Sequence, residues 1–265
     1  MADDVAEEAL RPAFDYDELV DWEKRLGREA PFFRELFQGA GVRRLVDVGC
    51  GSGMHDILFA GWGIEVVGLD PDEGMLTQAR ENATAAHATV RFERGGFGGL
   101  RELLDEPVDA VVSLGNALPH VGGLEALRVT FDDFAHVLRP GGLLVLHLLN
   151  HQRLLAKRPV FLPPTVRQTA EGRKVFLKLI DYVGDDIFIE FLRLTRPLAA
   201  DEDIETGGWE IRARRSLHTS LPAPLLAEEL ASSGFTGVTL YGNHDKKSFE
   251  PLEDESVIVV ARRAG

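Results

Sequence analysis

The sequence predicts an α/β protein on a doubly wound, mainly parallel sheet, with a helical arm before it and antiparallel strands inserted late in the chain. Three observations predict this. Short, continuously apolar runs alternate with helix-like stretches between residues 44 and 149, the pattern of strands buried on both faces. A glycine-dense turn, Gly49-Cys50-Gly51-Ser52-Gly53, follows the first of those runs. Residues 151–220 lose the rhythm and read as hairpin strands.

The arm comes first. Between Asp15 and Phe37, residues Leu19, Trp22, Leu26, Phe33, Leu36 and Phe37 recur at helical steps. Pro31 is expected to open a second helix, since proline suits the first helical position. Strands follow at Arg44–Val48, Ile64–Leu69, Thr89–Phe92, Val108–Leu114 and Gly142–Leu149, with helices at Met54–Ala60, Asp72–Ala86, Gly98–Leu104 and Leu124–Leu138 between them. Right-handed crossovers then leave a doubly wound layer as the assembly. In the insert, VFLPP reads as irregular. KVFLKLIDYV, the turn Gly184-Asp185-Asp186 and IFIEFLRLTR read as a hairpin, and WEIRARRSLH as a third strand. The α/β pattern resumes with a helix at Ala223–Ser232 and strands at Phe235–Tyr241 and Ser256–Arg262. The expected organisation is one domain: arm 1–40, core 41–150 and 221–265, insert 151–220.

Composition narrows the function. Of 265 residues, 45% are hydrophobic and 27% charged, enough apolar residue for a full core, which excludes a disordered chain. No run approaches the roughly 18 apolar residues of a membrane span. The acidic start MADDVAEEAL does not read as a secretory signal. A single cysteine, Cys50, excludes an intrachain disulfide and argues against a cysteine-based zinc cage, so a reducing, cytoplasmic setting is expected. With 29 Lys plus Arg against 43 Asp plus Glu, the net charge of −14 opposes a nucleic-acid backbone as partner.

The glycine turn carries the chemistry. A buried strand runs into Gly49, Gly51 and Gly53, and a helix start follows with free N–H groups. Asp70 ends the next strand, 23 residues after Asp47, where an acid accepts the hydroxyls of a ribose. Together they indicate an adenosine-type cofactor. Met54 stands where a dinucleotide fingerprint needs its third glycine. Asp47, just before the turn, would repel pyrophosphate and suit an amino-acid ammonium. S-adenosylmethionine is thereby favoured over a nicotinamide dinucleotide.

DVGCGSG, GLDPDEGML, DAVVSLGNALPHV and VLRPGGLLVL, in that order, resemble the class I S-adenosylmethionine-dependent methyltransferases over residues 40–150 and again over 221–262. The resemblance implies a Rossmann-like, seven-stranded sheet whose last strand is reversed, with the insert as a substrate lid. It implies that Asp47, Gly49, Cys50, Gly51 and Gly53 lie along the methionine end, Asp70 at the ribose, and Pro71 and Met75 beside the adenine. Gly96 and Phe97 would also meet the adenine ring, and Leu114, Gly115 and Asn116 would lie beneath the sulfonium. SLGNALPH is similar to glycine N-methyltransferases, which grip the methionine carboxylate with an arginine of the N-terminal helix. Arg25 stands at the matching distance, 22 residues before Asp47, with Tyr16 and Trp22 nearby to close over the cofactor or simply to pack. The family's substrate-carboxylate arginine is replaced by Leu149, just before Asn150, which puts glycine as substrate in doubt.

The implied reaction moves a methyl group to an N, O or C atom of a small molecule, with S-adenosylhomocysteine as product. Such transfer requires positioning and exclusion of water rather than a fixed catalytic residue. The weak catalytic candidates are His120, Asn150 and His151. His120 fits a base, a cofactor contact or a histidine bonded to backbone, and the other two fit loop caps as well. His147 reads as a core histidine, while His218 and His244 find no assignment. His244-Asp245 has no third ligand to make a metal site, and none is expected. Phe176, Ile180, Phe188, Phe191 and Trp209 of the insert fit packing or a pocket lining. Arg212, Arg214 and Arg215 form a basic run with Glu202, Asp203 and Glu205 upstream. The expected partner is a small-molecule acceptor, with no nucleic acid and no membrane. A homo-oligomer is allowed. The rival readings are a non-catalytic S-adenosylmethionine-binding protein and an NAD(P)-dependent oxidoreductase.

Overall fold

The computed structural model describes residues 16–169, 172–197 and 208–265. In chain order the elements are α1 (Tyr16–Leu19), α2 (Trp22–Ala40), β1 (Arg44–Val48), α3 (Met54–Ala60), β2 (Glu65–Asp70), α4 (Glu73–Ala85), β3 (Arg91–Arg94), α5 (Leu100–Leu103) and β4 (Val108–Ser113). A 3-10 turn (Leu118–Val121), α6 (Leu124–Val137), β5 (Leu138–Leu149) and α7 (His151–Lys157) follow. Then come β6 (Phe161–Thr169), β7 (Gly172–Val183), β8 (Asp186–Pro197), β9 (Glu210–His218), α8 (Ala223–Ser232), β10 (Phe235–Tyr241) and β11 (Ser256–Arg263). The described residues divide into two compact units. One joins residues 16–21 to Arg158–His218, and the other joins Trp22–Lys157 to Thr219–Gly265.

The α/β unit carries seven strands in the order β10-β11-β5-β4-β1-β2-β3. Pairs β1–β2, β1–β4, β2–β3 and β4–β5 are parallel, whereas β11 runs antiparallel to both β5 and β10. Central strands are apolar because both faces are covered. On one face Phe131 and Phe134 of α6 and Leu226 and Leu230 of α8 pack with Val46, Val111 and Leu144. On the other, Phe32, Phe33 and Phe37 of α2 and Phe59 of α3 pack with Leu45, Val112 and Val145. The chain order reverses between β1 and β4, so the loops at their carboxyl ends diverge and leave a crevice there.

The second unit is an antiparallel sheet, β6-β7-β8-β9. Phe176, Ile180, Ile187 and Ile189 are its buried apolar residues. Lys174 and Arg193 both bind the Glu18 carboxylate, which fastens α1 to this sheet. Phe188 lies under the Arg215 guanidinium (4.5 Å) and Phe191 under Lys178 (5.0 Å), so these two rings have local cationic partners. Trp209 is exposed.

Three expectations change. Pro31 lies inside α2 rather than at a helix start. The helix runs through it because Phe32, Phe33 and Phe37 bury beyond it, and that burial outweighs the lost backbone hydrogen bond. The proline stretch is a fourth strand, β6, on the sheet edge, where Pro163 and Pro164 fall at a register shift between Leu162 and Thr165. The insert also starts later, at Arg158, because His151–Lys157 forms a helix of the α/β unit. Glu202, Asp203 and Glu205 lie outside the described residues.

Phe131 is fully buried beneath α6. Phe131→Ala is expected to cost about 3–5 kcal/mol of stability in urea unfolding, through lost transfer energy and the cavity left behind.

Candidate active site

The site is built at the carboxyl edge of β1, β2, β4 and β5. After β1 the chain turns through Gly49, Gly51 and Gly53 at φ of 85°, 56° and 73°. The N–H groups of Gly49 and Cys50 donate to the Leu69 carbonyl at 2.7 and 3.0 Å, folding the turn onto the end of β2. A Cβ on Gly49 would stand 2.4 Å from the Ala117 Cβ, and one on Gly53 2.6 Å from the Phe92 ring. Gly51 meets nothing within 4 Å and faces open space. Close packing therefore demands two of these glycines, and the third leaves room beside the backbone.

Asp70 ties this turn to the next helix. Its Oδ2 accepts from Gly51 N–H and its Oδ1 from Asp72 N–H, both at 2.9 Å. The Asp72 side chain then caps α4 by accepting from Gly74 and Met75 N–H. Pro71 is exposed next to Asp70, and Met75 is half-buried in the first turn of α4. A Cβ on Gly96 would have nothing within 4 Å, while Phe97 packs near Phe134 at 6.4 Å.

Asp47 lies under the turn, 2% exposed, and its Oδ1 has no hydrogen-bond partner among the described residues. Burial pushes its pKa up to about 8, helped by the neighbouring Asp70 charge and opposed by Arg25. Asp56 of α3 is fully buried with both carboxyl oxygens unpartnered, and burial raises it well above the carboxylate range. Burial and the nearby carboxylates likewise push the Cys50 thiol up, so it is no nucleophile.

α2 supplies a cationic edge. Arg25 donates from Nε to Glu29 Oε1 at 3.0 Å, and its guanidinium carbon lies 5.0 Å from the Trp22 ring centre. Trp22 in turn meets His55 edge-on at 5.6 Å. Arg25 Nη2 is 3.8 Å from where a Cβ on Gly115 would stand, so Arg25 reaches the turn after β4. His55 Nε2 lies 2.8 Å from Glu29 Oε2. Burial would raise the Glu29 carboxyl, but the His55 hydrogen bond and the Arg25 and histidine charges outweigh it and hold it well below its usual range.

Leu114 is buried at the end of β4, and Gly115 and Asn116 turn the chain at φ of 65° and 73°. Asn116 N–H donates to the His147 carbonyl, and its Oδ1 accepts from Leu149 N–H at 2.9 Å. Its side chain thus braces β4 against β5. Asn150, a candidate for the reaction centre, is corrected to a clamp. Its Nδ2 donates to the carbonyls of Pro251 and Asp254, and its Oδ1 accepts from Arg153 N–H. His151 is buried at the start of α7, where Nδ1 accepts from Leu221 N–H at 2.9 Å. Burial lowers its pKa to about 4, which suits a structural acceptor better than a proton shuttle. His120 is exposed on the 3-10 turn. Tyr16 falls in the other unit, and its side chain lies outside the described residues.

Glu29, His55 and Asp56 were not singled out in the sequence. The one available signal was that Glu29 follows Arg25 by four residues, one helical turn on. His147, read from the sequence as a core histidine, and His244, left unassigned, meet here: their rings are 5.1 Å apart, and each lies beside Glu29 in space.

Residues 45–142 match the family model described as a methyltransferase domain. The chain is 32% identical over 140 residues to the glycine/sarcosine N-methyltransferase of Aphanothece halophytica, covering 53% of each chain. It is 34% identical over 131 residues to a ubiquinone biosynthesis O-methyltransferase of Ruegeria pomeroyi, covering 49% of this chain and 47% of that one. The chain spans about half the length of the curated relatives it matches. Among solved structures, an S-adenosylmethionine-dependent methyltransferase from Clostridium acetobutylicum superposes with a TM-score of 0.74 at 12% identity over 93% of both chains. The CcbJ methyltransferase from Streptomyces caelestis gives 0.71 at 22% identity, over 91% of this chain and 90% of that one. At these identities the structures report on fold.

A carboxyl whose folded pKa exceeds its unfolded value stabilises the fold below that unfolded value, near 3.9, and loses the contribution as pH rises through the folded one. For Asp47 the window runs from about 4 to about 8. Asp47→Asn is therefore expected to stabilise the ligand-free protein by ~1–3 kcal/mol at pH 8 and by less at pH 5, read from urea midpoints at the two pH values.

Proposed function

We propose that this chain transfers the methyl group of S-adenosylmethionine to a nitrogen, oxygen or carbon atom of a small molecule. The observation that carries the reading is Asp47, a buried carboxylate with an unpartnered oxygen, set under a positive-φ glycine turn. An isolated buried carboxylate is costly, and an ammonium donor offsets that cost. A dinucleotide pyrophosphate would add to it.

The residues present fit the cofactor. Asp47 would take the ammonium of the methionine part and Arg25 its carboxylate, since each is placed at the turn after β1 or β4. Asp70, at the end of β2 and bonded to the N–H groups of Gly51 and Asp72, would hold the ribose hydroxyls. Gly51 and Gly96 leave open space for close approach, and Cys50, Pro71, Met75 and Phe97 are proposed to flank the adenosine. Leu114, Gly115 and Asn116 are proposed to lie beneath the sulfonium. When bound, the cofactor supplies an activated methyl group on a good leaving group. The chain's part is to orient the two reactants and keep water away, which supplies several kcal/mol when reacting atoms are held about 3 Å apart.

The curated relatives named above act on nitrogen and oxygen acceptors, which supports a small amine or hydroxyl compound here. Leu149 in place of a carboxylate-binding arginine favours an acceptor other than free glycine. The inserted sheet, entered after β5, is proposed as the substrate lid that selects it. Asn150 and His151 contribute by fixing the loop after β5, and His120, exposed on the 3-10 turn, is proposed to lie nearer the acceptor. A cytoplasmic setting is part of the same proposal, resting on the single cysteine.

The test is calorimetric titration with S-adenosylmethionine, S-adenosylhomocysteine and NADH. Micromolar binding of the two sulfur nucleosides without NADH binding supports the reading, and absence of both overturns it. Turnover with small amines and phenols separates an enzyme from a binding protein. Asp70→Ala is expected to weaken nucleoside binding by about 2–3 kcal/mol, through lost charge-assisted bonds and a slackened turn. Unchanged affinity in that variant would count against the ribose assignment.

A further inference from the structure

Glu29, His55, His147 and His244 come from four separate elements, α2, α3, β5 and the segment after β10, and meet in the interior of the α/β unit. One ligand-type atom each of Glu29, His147 and His244 lies within 4.8 Å of the other two. His244 Nε2 is 4.0 Å from Glu29 Oε2, too far for a hydrogen bond. His147 Nδ1 and His244 Nε2 are buried, and neither has a hydrogen-bond partner among the described residues. Two imidazole nitrogens thus lie in one buried cluster with a carboxylate and nothing joining them. Buried polar atoms left without partners are rare in folded proteins, and a bound ion is one of the standard reasons for them.

We propose that Glu29, His147 and His244 form a binding site for a divalent transition-metal ion of the zinc class. Two imidazoles and one carboxylate are a ligand set that zinc sites with an open position use. Bonds of about 2.0–2.2 Å put tetrahedral ligand atoms roughly 3.4 Å apart, so the cluster needs only small side-chain rotations to close on the ion.

The surroundings orient the ligands. Arg25 holds Glu29 Oε1 and His55 holds Oε2, while Phe32 and Phe33 pack on the His244 ring at 5.4 and 5.6 Å. The His147 carbonyl is pinned by Asn116 N–H. Such supporting contacts commonly fix the direction of metal ligands.

The position bears on chemistry. His147 sits two residues before the end of β5, and Arg25 links the cluster to Gly115 at the end of β4. With three protein ligands, the fourth position would be open to a hydroxyl or amine, whose proton a metal makes easier to lose. The metal site itself does not depend on the methyl-transfer reading.

The experiment uses the full chain without a histidine tag, stripped with a chelator. Co2+ is titrated while the visible d–d absorption is followed, and Zn2+ is then added to displace it. The expected result is one Co2+ per chain with bands of low-coordinate geometry, bleached by Zn2+. His244→Ala and His147→Ala are expected to lose the bands, and Glu29→Gln to weaken binding at least tenfold. Far-UV circular dichroism checks that each variant is folded. No bands and no retained zinc in the wild-type chain at micromolar metal would overturn the proposal and leave a neutral histidine cluster. Stoichiometric binding that survives His244→Ala would overturn it as well. S-adenosylmethionine titration of the same stripped protein keeps the two proposals separable, since nucleoside binding without metal binding sinks only this one.

Discussion

The site depends on a concentration of buried acid. Asp47, Asp56 and Asp70 converge under one glycine turn. Asp70 accepts from two backbone N–H groups, and those bonds set the turn. Asp47 Oδ1 and both Asp56 carboxyl oxygens have no hydrogen-bond partner among the described residues. Their protonation is the cheapest relief available in the empty protein, because a neutral carboxyl avoids most of the desolvation cost of a charged one. Under the proposed function, that stored acid is offset when a cationic ligand group binds beside the turn.

Much of the α/β unit was legible in the sequence. β1 begins and ends where its apolar run meets glycine or polar residues, because a strand buried on both faces has no polar positions to blur its ends, and α3, α8 and β10 are likewise bounded by glycine, proline or polar residues. β5 was read too short: Leu138 is buried like a strand residue, but Pro140, Gly141 and Gly142 look like a turn. Pro31 and the Pro163-Pro164 pair misled in the same way. Proline reports a missing donor, and whether that matters depends on whether a helix face is buried or a strand edge is free, which are facts of tertiary structure.

The site was legible in part. Gly49, Gly51, Gly53, Asp47 and Asp70 announce themselves by spacing within a single strand–turn–helix unit. Arg25 was placed only by family resemblance. Glu29, His55, His147 and His244 were beyond reach, because they are brought together from elements more than 200 residues apart at the extremes. Asn150 shows the opposite: it stands at a strand end where ligands are expected, and its amide clamps the backbone.

The four-stranded sheet has two free edges, and they are kept from each other by different means. On β6, two adjacent prolines remove backbone donors and break the ladder, so an incoming strand would find gaps. On β9, exposed Ile211 is followed by Arg212 and Arg214, and charge on an outer strand disfavours addition of a strand from a second molecule.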